Sequence, residues 1–156
     1  MNTSVIAALH DWPLAVWLRS APAVYPALEG LHFVAIAVTF GSLWLVDLRL
    51  LGWRRFGLAR IDIRVLAGVA LPWALIGFVV AATVGSLMFL ARAGDFIGNR
   101  VFLLKILLLF IAGTNATILH SRGPLDPASV VTRLQAAFSL MIWIAIIVCG
   151  RWIAYV

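Results

Sequence analysis

Three basic side chains lie inside long apolar stretches of this sequence, where ionisable groups are costly and therefore mark a candidate site. His32 stands in the first stretch, Lys105 in the third and Arg151 in the fourth. A charged side chain at the centre of a spanning helix costs about 2.5 to 3.5 kcal/mol on insertion scales. Imidazole is a common metal ligand, and the two cations can neutralise anionic groups such as haem propionates.

The same three side chains are expected at one depth in the membrane. The first span should run inward from about Leu28 and the third from about Val101, so His32 and Lys105 each lie about 6 Å below the outer boundary at ~1.5 Å per residue. Arg151 falls in the last turns of the fourth span, which runs outward. This charge layer predicts a cofactor site in the outer half of the protein.

The cofactor expected in this layer is b-type haem, for electron transfer or in the membrane subunit of a redox complex. His32 would be an axial metal ligand, with His10 or Lys105 as the second. Arg151 would lie near the propionates, and Glu29, one helical turn above His32, belongs to the same cofactor-binding set. An enzyme with this site would be an oxidoreductase.

Two alternatives remain open at the level of sequence. In the first, the chain is a cofactor-free accessory or assembly subunit of a membrane complex, and its polar residues only fix helix register. In the second, it is a small copper-handling transporter, although only three histidines and three methionines are available, with no methionine cluster to hold Cu(I).

The composition requires a membrane to surround the elements that carry these residues. Of 156 residues, 64% are hydrophobic and 12% charged, and the mean hydropathy is +1.08. Apolar stretches of about 18 or more residues predict spanning helices. We therefore expect one all-α domain over residues 1–156, an antiparallel up-down four-helix bundle in the membrane, with spans at about 28–46, 65–90, 101–119 and 134–156.

The arginines predict the orientation of the bundle. Seven lie in the loops after the first and third stretches and three on the opposite side, so those loops should be cytoplasmic and both termini periplasmic, in an inner membrane. Residues 1–20 lack a basic n-region and should form an interfacial amphipathic helix. The expected partners are the bilayer and other membrane subunits or a second copy, whereas a nucleic acid would need a soluble basic face.

Two further patterns concern the interior of the bundle. The second span carries a small-residue stripe that admits either a neighbouring helix or a flat cofactor. Its members are Trp73, Gly77, Ala81 and Gly85, and we expect Trp73, at its start, to be interior. The face of the first span that holds Glu29 and His32 should be interior, and continues through Ala35, Ile36, Thr39 and Ser42.

A second polar set lies toward the inner side of the membrane. We expect Asp47 and Arg49 to form a charge pair at a helix end, and His120 to be an interfacial histidine. Asn115 is expected to make an interhelical hydrogen bond.

Two runs, Glu29 to Ala35 with Gly41, and Asp47 to Gly52, together resemble an uncharacterised bacterial family of four-span membrane proteins, as do the positions from Phe102 to Lys105 and Asn115. That resemblance covers nearly the whole chain and implies no activity. The Leu31-His32 pair, Gly41 and Lys105 are more distantly similar to copper-resistance protein D and to HemJ-type protoporphyrinogen oxidase. The HemJ resemblance implies that His32 and Lys105 take part in haem binding.

Overall fold

The computed structural model describes residues 11–53, 55–121 and 123–155, and these ranges are helical and contain no strand. The expectations for His10 and for the first half of the interfacial helix lie outside the described residues. Six α-helices are present there: α1 (Pro13–Ser20), α2 (Val24–Leu50), α3 (Ile63–Ala91), α4 (Ala93–Phe96), α5 (Arg100–Ser121) and α6 (Val130–Trp152). Short 3-10 helices follow α2 and α6, at Arg55–Arg60 and Ile153–Tyr155.

Four helices of the described part of the chain are long and apolar enough to cross a membrane. They are α2, α3, α5, and α6 continued to Tyr155. The structure therefore confirms an all-α protein with four long apolar helices, compatible with a membrane helical bundle, and contact with a lipid bilayer follows from them.

Local sequence explains where these helices begin and end. Gly52 has a φ of +82°, a left-handed conformation that stops α2 at little cost for glycine. Gly98 ends the segment before α5 in the same way, with a φ of +97°. At the other end of the chain the Ser129 side chain accepts a hydrogen bond from the Thr132 amide and caps α6.

The chain divides into two compact units. The first comprises Met1–Thr39 and Leu75–Asn99. In it, α1 begins at Pro13 and buries Ala15 and Leu18, while Trp12 and Trp17 remain exposed. This described half of the predicted amphipathic helix therefore has an apolar outer face suited to the headgroup region.

The second unit comprises Phe40–Ala74 and Arg100–Val156. Helices α5 and α6 pack along each other in this unit. Its buried core joins residues of all four long helices: Val46, Leu50, Ile63, Ala70, Leu119 and Ala136. Ala70 and Ala136 are small, so the helices can approach closely where lipid supplies no hydrophobic driving force.

Candidate functional site

His32 lies on the small-residue stripe of α3 within the first unit. A Cβ atom built on Gly85 would lie 3.0 Å from Cε1 of the His32 ring and 3.6 Å from its Nδ1. The imidazole is half-buried and occupies the space that any larger residue at position 85 would need. Glycine at this position therefore serves the packing of the imidazole against α3.

Two turns away, the backbone of α2 itself comes against the stripe. A Cβ atom on Gly77 would lie 2.7 Å from Oγ1 of Thr39 and 2.9 Å from the carbonyl oxygen of Ala35. The Thr39 hydroxyl donates to that same carbonyl at 2.9 Å, and both Ala35 and Thr39 are buried. A neighbouring helix, and not a flat cofactor, therefore occupies the stripe at Gly77.

Two expectations about interior positions are wrong. Trp73 is 57% exposed, so the interior stripe excludes it. Glu29 is exposed, although it stands one turn from His32, because the buried face of α2 runs through Ala35 and Thr39 and turns away from position 29. The glutamate is thus available to headgroups or water and not to the interior.

The end of α3 in the first unit is held by arginines. Arg19 of α1 donates to the carbonyl oxygen of Ala91 at 3.1 Å. Arg92 donates to Asp95 at 2.7 Å and lies over the Tyr25 ring, 5.8 Å from its centroid. The hydrogen bond to Asp95 raises the pKa of the Arg92 guanidinium. The contact of Arg19 joins α1 to the end of α3, and the pair of Arg92 with Asp95 is local to the start of α4.

Lys105 and Arg151 both lie in the second unit. The Lys105 ammonium is close to α6, since a Cβ atom on Gly150 would lie 3.4 Å from Nζ. Arg151 is exposed, donates to the Tyr155 hydroxyl at 2.7 Å and lies over the Tyr155 ring. The structure thus places the two cations at neighbouring positions of one unit, and their grouping with His32 stays a prediction.

A haem inserted between α2 and α3 does not fit the residues of the first unit. At Gly77 the backbone of α2 fills the space, and at Gly85 the His32 ring fills it. Among the described residues there is no group of three or more His, Cys, Asp or Glu side chains that could hold a metal ion.

The second unit contains a buried polar cluster that the sequence analysis did not treat as a site. Asp47 is only 4% exposed, and the Ser139 hydroxyl hydrogen-bonds to its carboxyl group. Asn115 donates to the main-chain carbonyl of Gln135 at 3.2 Å, as the expected interhelical bond. Within the described part of the chain, Oδ2 of Asp47 and Oε1 of Gln135 are buried without a hydrogen-bond partner.

The expected pairing of Asp47 with Arg49 is wrong. Arg49 donates to the carbonyl oxygen of Ile61 at 2.9 Å, so its guanidinium serves the loop after α2, and Ser139 takes its place beside Asp47. The signal that could have found this cluster is the spacing of Gln135 and Ser139. They are four residues apart and therefore share one face of α6.

Comparison with known proteins gives a family and no function. The sequence model of a family of unknown function, DUF6644, matches residues 19–156. Neither the curated proteins nor the solved structures gave a match.

Proposed function

The chain belongs to DUF6644, a family of unknown function, and we propose that it acts as a membrane-embedded accessory subunit whose polar span residues hold its helices in register. One observation carries the proposal. Thr39 and Ala35 of α2 lie directly against Gly77 of α3. The polar residue Thr39 and the glycine therefore both serve the packing of α2 against α3.

The other polar contacts support the same role. His32 rests on Gly85, and Asn115 bonds across to the main chain of α6. In lipid, helices associate through close packing of small residues and through interhelical hydrogen bonds, because apolar burial gives no net driving force there. Each of these contacts specifies one rotational setting of its helix.

The surface of the described chain supports action within the bilayer. The segments that join the long helices are too short to form a soluble domain. Large apolar side chains are exposed along the spans; Val69 and Met141 are each 61% exposed and Phe110 is 72% exposed. We infer that other membrane subunits or a second copy meet this apolar surface alongside lipid.

Binding of b-type haem is the second candidate function. It is favoured by the partial burial of His32 and Lys105, because an ionisable residue inside a span is costly and its retention indicates a function. In this proposal His32 of the first unit would ligate the iron. Haem would supply one-electron transfer, and it would have to lie on a face of His32 other than the one packed on Gly85.

An absorption spectrum separates the two candidates. The protein is purified in detergent and measured oxidised and dithionite-reduced, with added haem and with its metal content determined on the same sample. A colourless, metal-free protein that haem does not alter supports the accessory subunit. A Soret band with reducible α and β bands, lost in His32→Ala and kept in His120→Ala, would overturn it in favour of haem, and stoichiometric copper would indicate the transporter.

The proposed location is an inner membrane with both termini on the periplasmic side, and it rests on the arginine distribution. A Cys149→Ser background removes the one native thiol. In that background a membrane-impermeant thiol reagent added to intact cells should label Gly94→Cys and spare Ala59→Cys, both of which are exposed positions outside the long helices. The reverse pattern would invert the topology.

A further inference from the structure

The buried cluster around Asp47 leaves two side-chain oxygens without a hydrogen-bond donor in the described part of the chain. Ionised Asp47 has only acceptor oxygens, and Oε1 of Gln135 is also an acceptor. Both Oδ2 of Asp47 and Oε1 of Gln135 are buried without a partner among the described residues. A buried acceptor left unpaired costs about 1–3 kcal/mol, and more when it is charged.

We propose that Asp47 is a proton-binding site within the membrane, held as a neutral carboxylic acid against the face of α6 that carries Ser139 and Gln135. A proton on Oδ2 converts that oxygen from an unpaired acceptor into a donor. Ser139 donates to the carboxyl group, and Gln135, one helical turn before it on the same face of α6, offers the acceptor oxygen. One proton thus removes the charge from the buried carboxyl group and gives Oδ2 a hydrogen to donate to an acceptor on this face of α6.

The surroundings of the carboxyl group favour its neutral form. Leu50 and Ala136 are fully buried and Val46 is 3% exposed, and all three belong to the apolar core of this unit. A carboxylate moved into such surroundings loses its hydration and is costly unless it is paired.

The charged groups on the helices packed here are engaged elsewhere. Arg49 of α2 donates to the main-chain carbonyl oxygen of Ile61 and Arg133 of α6 to that of Leu51, while Arg151 of α6 donates to the Tyr155 hydroxyl. On α5 the ring of His120 contacts the carbonyl oxygen of Ala116. At the start of α3, Asp62 and Arg64 are exposed, and the Asp62 carboxylate accepts from the Arg64 amide.

Infrared spectroscopy detects the proton itself. In nanodiscs at neutral pH, the protein should show the C=O stretch of a carboxylic acid, shifted downward in D2O. The band should disappear in Asp47→Asn, which keeps the shape of the neutral acid, and persist in Asp126→Asn, which removes an exposed aspartate outside the long helices. Ser139→Ala should keep the band and move it to higher frequency, because one hydrogen bond to the carboxyl group is lost.

Three results would overturn the proposal. The band is absent from the wild-type protein at neutral pH, it survives unchanged in Asp47→Asn, or it disappears when sodium chloride replaces choline chloride. The last result, accompanied by a rise in Tm, would assign the oxygens to a sodium ion. If Asp47→Asn fails to fold, the frequency shift in Ser139→Ala still decides, since a band that does not move cannot belong to Asp47.

Discussion

Replacement of Gly77 by alanine should destabilise the protein because α2 occupies the space of the new methyl group. That carbon would lie 2.7 Å from Oγ1 of Thr39, 2.9 Å from the carbonyl oxygen of Ala35 and 3.0 Å from the amide nitrogen of Thr39. Two of these atoms are backbone, so relief requires a movement of the helix. Overpacking costs about 1–3 kcal/mol, and the better helix propensity of alanine returns up to about 1 kcal/mol. The difference of these two effects spans about 0–3 kcal/mol, and we expect a net loss near its middle, about 1–2 kcal/mol.

Equilibrium unfolding in mixed detergent micelles, with increasing sodium dodecyl sulfate, measures this loss. Gly68→Ala is the matched control, since Gly68 is in the same helix and a Cβ there would have no heavy atom within 4 Å. The control should be as stable as the wild-type protein or slightly more so. Thr39→Ala combined with Gly77→Ala should recover part of the loss, because it removes the closest atom. The reasoning is refuted if Gly77→Ala and Gly68→Ala unfold alike.

Three further outcomes are expected from single contacts. Gly85→Ala should cost less than Gly77→Ala in the same unfolding assay, because the ring of His32, at 3.0 Å, can rotate away; an equal or larger loss contradicts this. Asn115→Ala should cost about 0.6 kcal/mol, the average for an interhelical hydrogen bond in a membrane protein, and a loss above about 2 kcal/mol would show a larger role. Arg92→Gln should change stability by less than about 1 kcal/mol, because its pair with Asp95 is exposed. Because the pKa of Arg92 is raised, its contribution to stability is fully present at every pH below the usual pKa of arginine. The difference in Tm between wild type and Arg92→Gln should therefore be the same at neutral pH and at mildly acidic pH, above the range in which carboxyl groups titrate.

The spans were predictable from sequence, and their ends less so. The predicted first span of 28–46 lies inside the observed helix Val24–Leu50, and the predicted 101–119 lies inside Arg100–Ser121. Hydropathy detects the part of a helix that needs lipid, whereas the backbone hydrogen bonds continue through charged residues at the interface. Turn glycines such as Gly52 mark the true end because they adopt a left-handed conformation.

The occupant of the small-residue stripe could not be predicted, because a glycine admits a helix and a flat cofactor equally well. The choice depends on the rotation of α2, which brings Thr39 to Gly77. Glu29 shows the same limit. Glu29 stands three residues before His32 and so on the same side of α2, yet it is exposed. The part of the helix surface that α2 buries is narrower than a face that includes both residues.

The polar cluster at Asp47 was missed for a different reason. A nearby arginine in the sequence suggested a local charge pair, but the partner of Asp47 is Ser139, 92 positions away, with Gln135 one turn before it. Sequence spacing identifies polar residues on one face of α6. It does not reveal which helix that face meets, and only the packing of the second unit supplies that.

Disulfide cross-linking tests most directly whether α2 fills the stripe of α3. In a Cys149→Ser background, Thr39→Cys with Gly77→Cys should form an intramolecular disulfide on mild oxidation, because the Cβ position of residue 77 lies 2.7 Å from the side-chain oxygen of Thr39 and so falls within reach of a disulfide. Thr39→Cys with Ile76→Cys is the control, since Ile76 is 54% exposed and points away from the stripe. Rapid cross-linking of the 39–77 pair alone is the result that this account predicts. A 39–77 pair that stays reduced, or that links no faster than the control, would contradict it and leave the stripe open to a cofactor.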